Sequence, residues 1–217
     1  MISECKAVVF DMDGTLIESM YAWRSAFIRF ANKYDLEMPE ALYGIPESTC
    51  DAAADHFLEM LAGRMTREEI IDEMIATIDG EYATRVRPRT DIFRLLDRLR
   101  EKGYILAVAT ATPMKYARTA LVRLGFEPYF EMMLSPDEIG CGKWQPEFFV
   151  QVAEKLGVKP EECVMFEDAL YAARSAKKAG MHVCAIEEYY SRSGREELRR
   201  EADRYIACYA DLLDEME

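Results

Sequence analysis

The sequence predicts an α/β protein with a three-layer, Rossmann-like core: helices cover both faces of a doubly wound parallel sheet, and a small helical bundle is inserted after the first strand. Short apolar runs alternate with amphipathic segments of helical length over residues 87–217, as in parallel sheets. One further apolar run, at residues 7–10, precedes a segment at 18–86 whose patterns are helical. We therefore expect a core formed by residues 1–17 and 87–217, and a cap formed by residues 18–86.

The first predicted strand ends where two aspartates appear, Asp11 and Asp13. A short apolar run before a polar, glycine-containing turn is typical of a buried parallel strand, and open α/β sheets bind ligands at the carboxyl ends of their strands. Residues two apart in an extended segment point to the same side, so both carboxylates could face one site. Close carboxylates repel each other unless a cation or a proton lies between them. The turn therefore favours a metal site or proton transfer, although Asp-x-Asp-Gly alone is also an ordinary surface turn.

Three helices are predicted within the cap. Apolar side chains recur at three- and four-residue steps from Met20 to Tyr34, which marks one face of a helix that ends before Pro39. A second helix is predicted at 48–61, and a third begins at Thr66 with a capping box. The aromatic and methionine stripe of the first helix is typical of a bundle core rather than of a ligand site.

Strands and helices then alternate along the core. Each predicted strand is a short apolar run, and most predicted helices begin near a proline or end near a glycine. The predicted strands lie at 104–109, 132–134, 163–166, 181–186 and 205–207. The predicted helices lie at 91–102, 113–124, 146–156, 169–179 and 194–200, the last capped by Ser193, and a short helix closes the chain.

Polar side chains that could complete a site follow the later apolar runs. Thr110 and the pair Glu167-Asp168 each directly follow a predicted strand, and Lys143 lies in the loop before a predicted helix. Taken singly, each has an ordinary explanation: a capping hydroxyl, acids at the amino end of a helix, and a solvated lysine. Together with the first aspartate pair, in this chain order, the set resembles the haloacid dehalogenase-like (HAD) superfamily. It is most similar to the phosphatase and β-phosphoglucomutase-like members with a helical C1 cap, and the resemblance covers nearly the whole chain.

The resemblance implies a Mg²⁺-dependent phosphatase that hydrolyses a small phosphate monoester, such as a sugar phosphate or a nucleotide, through an aspartyl-phosphate. In this scheme Asp11 is the nucleophile, and Asp13 protonates the leaving alcohol and later activates water. The metal ligands implied are Asp11, the main-chain carbonyl of Asp13, and Asp168, with Glu167 acting through water.

The phosphate group is expected to bind at Thr110, Ala111 and Lys143. The Thr110 hydroxyl and the main-chain N–H groups that follow it can hold phosphate oxygens near the start of a helix, although the same hydroxyl could simply cap that helix. The charge of Lys143 could offset both the phosphoryl group and the nucleophile. Lys143 fits the family's Gly-Lys-Pro-x-Pro motif, except that Trp144 replaces the first proline while Pro146 keeps its spacing.

Composition argues against several function classes. The net charge of −13 disfavours nucleic acid and anionic membranes as partners, because both require a basic surface. Only two histidines are present, too few to favour a histidine metal site or a Ser-His-Asp triad. The six scattered cysteines, the lack of a leader pattern and the lack of a long apolar run indicate a reduced, cytoplasmic protein. We expect a monomer, with a dimer as the alternative, whose partner is a small phosphorylated metabolite.

Two other functions stay open. A sugar-phosphate mutase resembling β-phosphoglucomutase would share all four motifs, but mutases usually carry a histidine on the first cap helix, where this chain has Trp23 and Arg24. A non-catalytic binding protein on the same scaffold would have no need to keep the complete motif set. We expect cap residues to select the leaving group. The candidates are Arg24, one of 6 basic residues in the cap, and its neighbour Trp23.

Overall fold

The computed structural model describes residues 2–38, 50–191 and 194–216. Its strands are β1 (Ala7–Phe10), β2 (Ile17–Glu18), β3 (Arg87–Pro88), β4 (Ile105–Ala109), β5 (Met132–Leu134), β6 (Cys163–Glu167), β7 (His182–Ile186) and β8 (Arg204–Ile206). Its helices are α1 (Met20–Lys33), α2 (Cys50–Leu61), α3 (Arg67–Thr84), α4 (Ile92–Glu101), α5 (Met114–Arg123), α6 (Pro136–Ile139), α7 (Pro146–Lys155), α8 (Leu170–Lys178), α9 (Arg195–Glu201) and α10 (Ala210–Met216).

The core is built on a parallel sheet whose strand order, within the described residues, is β5-β4-β1-β6-β7-β8. Alternate side chains of a strand face opposite sides. On β1, Val8 and Phe10 pack in a cluster with α4, α5 and α10, whereas Ala7 and Val9 pack in a second cluster with α7 and α8. Helices therefore cover both faces of the sheet, which confirms the three-layer α/β prediction. Because β1 lies between β4 and β6, the carboxyl ends of these strands meet at one edge.

The helices α1, α2 and α3 lie between the first strand and the rest of the sheet in chain order, as the sequence predicts. α3 packs against both α1 and α2, and buried side chains such as Phe27, Phe57 and Met74 fill the space between them. α3 begins after Thr66, whose side chain forms the predicted capping box. The division of the chain into a cap domain at 18–86 and a separate core stays a prediction.

The structure also contains short elements that the sequence does not predict. β2 and β3 pair as an antiparallel ribbon that joins the two linkers of the cap, and runs of two residues show no readable periodicity. α6 is a single turn that begins after Ser135. The predictions made at Pro39, at 48–49 and at Ser193 lie outside the described residues. None of the helices in the described ranges combines the length and the apolar composition needed to cross a bilayer.

Candidate active site

Asp11 lies at the carboxyl end of β1, near the middle of the sheet. Its main-chain N–H donates to the carbonyl oxygen of Phe166 at 2.9 Å, so the hydrogen bonding between β1 and β6 continues up to this residue. The carboxylate is buried and accepts a hydrogen bond from Lys143 Nζ at 2.6 Å. A rigid strand end and a buried ion pair therefore hold this side chain in place.

Lys143 joins two carboxylates and is only 1% exposed. Its Nζ lies 2.6 Å from Asp11 Oδ1 and 2.7 Å from Glu167 Oε2. Burial by itself lowers the pKa of Lys143, but the two carboxylates outweigh burial and raise that pKa above its ordinary value. The other oxygen of Glu167 accepts hydrogen bonds from the main-chain N–H groups of Asp168 and Ala169, at 3.1 and 3.0 Å. Lys143 is therefore a fixed positive charge beside Asp11, and Glu167 anchors it.

Carboxylate oxygens of Asp11, Glu167 and Asp168 lie within 4.8 Å of one another, forming a cluster of possible metal ligands within the described part of the chain. Burial, together with the neighbouring acids, raises the pKa of Asp11 to about 8 against the pull of Lys143. The same causes raise the pKa of Asp168 well above its usual range. Three buried acids thus lie beside a single ammonium group, so the cluster would carry excess negative charge if all three were ionised. An all-oxygen cluster with this charge fits a hard divalent cation.

The side chain of Asp168 is oriented by hydroxyl groups and approached closely by the loop after β1. Ser191 Oγ donates to its Oδ2 at 2.7 Å, and Thr15 Oγ1 donates to its Oδ1 at 3.4 Å. Gly14 has a φ of +81°, and a Cβ atom at this position would lie 2.7 Å from Asp168 Oδ2. Glycine is therefore required both for the backbone conformation and for the close approach of the loop to the acid pair.

The carboxylate of Asp13 lies outside the cluster of possible metal ligands and accepts hydrogen bonds from hydroxyl groups that the sequence analysis does not single out. Ser19 Oγ and Tyr82 OH both donate to Asp13 Oδ1 at 2.6 Å, and Thr112 Oγ1 donates to Oδ2 at 2.7 Å. Burial and the charge of Asp13 raise the pKa of Tyr82 well above its ordinary value, so its hydroxyl remains a donor. The proposed role of the Asp13 main-chain carbonyl as a metal ligand stays a prediction.

Thr110 directly follows β4, and Ala111 comes next. The Thr110 N–H donates to the carbonyl oxygen of Leu134, and its hydroxyl accepts from the N–H of Thr112, both at 3.0 Å. Because α5 begins only at Met114 and its amino end has no side-chain cap, the hydroxyl stabilises the turn and does not cap the helix. Thr110 is buried and Ala111 is exposed, and their phosphate-binding role stays a prediction.

The remaining candidate residues surround this group. Trp144 is 66% exposed, and its ring packs against Gly142. A Cβ atom at position 142 would lie only 2.0 Å from that ring. The tryptophan in place of proline is thus accommodated by a glycine, and the neighbouring lysine is still buried. In the cap, Trp23 Nε1 donates to the Tyr82 hydroxyl at 3.1 Å. Arg24 is half-buried on α1, and the influence of both residues on specificity stays a prediction.

Comparison with known proteins gives the family. The model of the haloacid dehalogenase-like hydrolases matches residues 5–180. The phosphorylated carbohydrates phosphatase of Thermotoga maritima is 31% identical over 81% of this chain and 82% of its own. Fructose-1-phosphate phosphatase YqaB of Escherichia coli is 27% identical over 83% of this chain and 96% of its own. A solved structure from Thermotoga maritima, assigned provisionally as a β-phosphoglucomutase, is 28% identical, with a TM-score of 0.75 over 97% of this chain and 99% of that one.

The matched range contains every side chain of the buried cluster, from Asp11 to Asp168. It also contains the cap helices and the strands that bring these side chains together. The family resemblance inferred from the motifs is confirmed, and so is the prediction that the protein is an enzyme. The chain belongs to the haloacid dehalogenase-like hydrolase family.

Proposed function

We propose that this protein is a Mg²⁺-dependent phosphatase that hydrolyses a small phosphate monoester through an aspartyl-phosphate on Asp11. The observation that carries the proposal is the arrangement at the end of β1. There the Asp11 carboxylate lies 2.6 Å from Lys143 and within 4.8 Å of Glu167 and Asp168. A phosphoryl group bound against Asp11 would lie beside both an ammonium group and a carboxylate cluster able to hold a cation, the combination that phosphoryl transfer requires.

Both halves of the reaction use side chains of this site. In the first half, an Asp11 oxygen attacks phosphorus, the bond between phosphorus and the ester oxygen breaks, and Asp13 gives its proton to the departing alcohol. In the second half, Asp13 takes a proton from a water molecule, the water oxygen attacks phosphorus, and Asp11 is released with inorganic phosphate. Lys143 stays charged throughout and offsets the charge of the transferring group. A bound divalent cation supplies further charge neutralisation.

Mg²⁺ is the cation that the donor set favours. The cluster found in the described ranges consists of carboxylates and contains neither cysteine nor histidine. Oxygen ligands select Mg²⁺, Ca²⁺ or Mn²⁺ over softer metals. Mg²⁺ typically binds one or two carboxylates together with substrate phosphate oxygens, and Asp11 and Asp168 can supply such a pair.

The substrate class is proposed from the relatives. The names of the two similar phosphatases refer to phosphorylated carbohydrates and to fructose 1-phosphate, so sugar phosphates are the first compounds to test. The helices α1 to α3 would cover the leaving group, and their contacts would discriminate between substrates of different shape. A large or polymeric ester would not fit beneath them.

Phosphate release from a panel of sugar phosphates, nucleotides and small phosphate esters tests the proposal. We expect wild-type enzyme to release phosphate only with Mg²⁺, and Asp11→Asn to lower kcat by more than about 1,000-fold, because the amide keeps the shape but loses the nucleophile. Asp97→Asn is the matched control, since Asp97 is an exposed aspartate that accepts a hydrogen bond from Tyr129 at 2.9 Å, and it should behave as wild type. Activity of Asp11→Asn within tenfold of wild type would contradict the proposal.

A sugar-phosphate mutase is the second candidate, favoured by the 28% identity to the provisional β-phosphoglucomutase structure. In the stretch of the first cap helix where mutases usually carry a histidine this chain has Trp23 and Arg24, and the N–H of Trp23 already donates to the Tyr82 hydroxyl. A mutase would convert one sugar phosphate into its isomer and would need a bisphosphate activator. Phosphate release without an activator would exclude it, whereas Mg²⁺ binding without any turnover would favour a non-catalytic protein.

A further inference from the structure

Tyr82 connects the cap helices to Asp13. It lies in the last turn of α3, is fully buried, and donates its hydroxyl proton to Asp13 Oδ1 at 2.6 Å. On its other side, Trp23 of α1 donates its indole N–H to the same hydroxyl oxygen at 3.1 Å. A chain of hydrogen bonds thus runs from two cap helices to the carboxylate two residues after Asp11.

The main chain around Tyr82 is fixed to the core. Arg123 of α5 donates from Nε to the carbonyl oxygen of Tyr82 at 2.7 Å, and from Nη2 to that of Val86 at 2.6 Å. Carbonyl groups at the carboxyl end of a helix lack partners within the helix, and a cation there also stabilises the helix dipole. The main chain of Tyr82 is therefore fixed by Arg123 of the core, and its hydroxyl group is fixed by Trp23.

Asp13 needs such partners because a carboxyl group turns readily about its last torsion angle. Among the described residues, its other hydrogen bonds come from Ser19 and Thr112, at 2.6 and 2.7 Å. Ser19 lies in the first linker to the cap, and Thr112 lies in the loop after β4. Tyr82 is thus the donor that a cap helix contributes.

We propose that Tyr82, supported by Trp23, is a positioning residue that orients the Asp13 carboxyl group for proton transfer. The inference rests on the proposed function, in which Asp13 acts as acid and base. As the ester bond breaks and the bond from Asp11 to phosphorus forms, the proton moves from Asp13 to the ester oxygen. Tyr82 keeps its own proton and does not touch the phosphoryl group. Its contribution is the direction in which Asp13 presents the proton.

Leaving groups that differ in their need for a proton test this role. An alkoxide from a sugar phosphate must be protonated as it leaves, whereas p-nitrophenolate leaves without a proton. The parameter to compare is kcat/KM, because it reports the steps up to the departure of the leaving group. We expect Tyr82→Phe to lower kcat/KM for the best sugar phosphate by about 10- to 100-fold, part of the full contribution of general acid catalysis. For p-nitrophenyl phosphate the loss should stay below about threefold, because that step needs no general acid.

Two further variants serve as controls. Tyr34 is another cap tyrosine whose hydroxyl donates to a carboxylate, that of Glu73 at 2.7 Å. Tyr34→Phe should therefore leave kcat/KM unchanged for both substrates. The double variant with Trp23→Phe and Tyr82→Phe removes both polar groups together, so no donor loses its partner. It should show the same selective loss of kcat/KM for the sugar phosphate as the single variant. A folding defect would instead lower kcat/KM for both substrates.

An equal loss for both substrates, or no loss for either, in Tyr82→Phe and in the double variant would overturn the proposal. Failure of the proposed function would give a different result, because wild-type enzyme would then release phosphate from neither compound. The proposed role of Tyr82 would be overturned together with the proposed function.

Discussion

Glu167 and Asp168 are adjacent acids in different surroundings. The carboxylate of Glu167 accepts hydrogen bonds from Lys143 and from two main-chain N–H groups, all of them fixed donors. Asp168 accepts hydrogen bonds from the hydroxyl groups of Thr15 and Ser191, which can rotate. Asp168 therefore has oxygen lone pairs that a cation can use, whereas Glu167 holds the lysine and the end of β6.

Isosteric amides at the two positions should separate these roles. We expect Asp168→Asn to raise the Kd for Mg²⁺ by more than about 100-fold, because a direct ligand is lost, and Glu167→Gln to raise it by about 10- to 100-fold, the usual effect of losing a supporting group. Calorimetric titration of Mg²⁺ into each variant measures both constants. Equal constants for the two variants would contradict this ordering.

At the scale of elements, Arg89 ties the cap linker to the loops of the site. It directly follows β3, and its Nη1 donates to the Gly14 carbonyl oxygen at 2.6 Å and to Glu188 Oε2 at 2.8 Å. Its Nη2 donates to the carbonyl oxygen of Glu187 at 2.8 Å. One mostly buried guanidinium group therefore joins the second cap linker, the loop that carries Asp13 and the loop after β7.

Arg89→Ala should lower the free energy of unfolding by about 2–3 kcal/mol, because it leaves a partly buried carboxylate and two carbonyl groups without their charged donor. Chemical denaturation monitored by circular dichroism measures this change. Arg98→Ala is the control, since the pair between Arg98 and Glu101 is exposed and should contribute less than about 1 kcal/mol. Equal losses in the two variants would show that Arg89 does not join these segments.

Most elements of the fold could be predicted because their apolar patterns are local. β1, β4, β6 and β7 are short buried runs, and α4 and α7 carry apolar residues at helical spacing. β2 and β3 could not be predicted, because two-residue strands show no periodicity and form only when distant linkers meet.

The candidate site was predictable where a polar residue directly follows a strand, as at Asp11 and Thr110, or ends one, as at Glu167. The donors to Asp13 were not. Thr112 and Tyr82 lie 99 and 69 residues from it along the chain, and an aromatic residue on a cap helix is typical of apolar packing. A hydrogen bond of this kind depends on how the cap meets the core, which no local pattern encodes.

At the scale of the whole molecule, the buried acidic cluster makes the stability of the folded state depend on pH. The pKa of Asp11 is raised to about 8 and that of Asp168 is raised well above its usual range, chiefly by burial. In the unfolded chain both acids titrate near pH 4. Without a cation, their protonated forms stabilise the folded state below that pH, and this contribution is lost as the pH rises, for Asp11 through about 8. A cation that replaces the protons should stabilise the folded state more as the pH rises.

We therefore expect Mg²⁺ to raise the Tm more at about pH 8 than at about pH 6, because binding must displace protons from the buried acids at the lower pH. Thermal melts with and without Mg²⁺ at both pH values measure the difference, and titration calorimetry in buffers of different ionisation enthalpy measures the protons released. The Asp168→Asn protein should lose most of the Mg²⁺ effect. The same shift in Tm at both pH values, with no proton release, would contradict the placement of the cation among these carboxylates.

The central claim is that Asp11 carries the phosphoryl group between the two half-reactions. Acid quenching of enzyme during turnover of a sugar phosphate, followed by borohydride reduction, converts an aspartyl-phosphate to homoserine, and peptide mass spectrometry then locates the modified residue. We predict homoserine at position 11, dependent on both substrate and Mg²⁺, and absent from Asp11→Asn. Steady phosphate release with an unmodified Asp11, or with the modification at Asp13, would contradict the account.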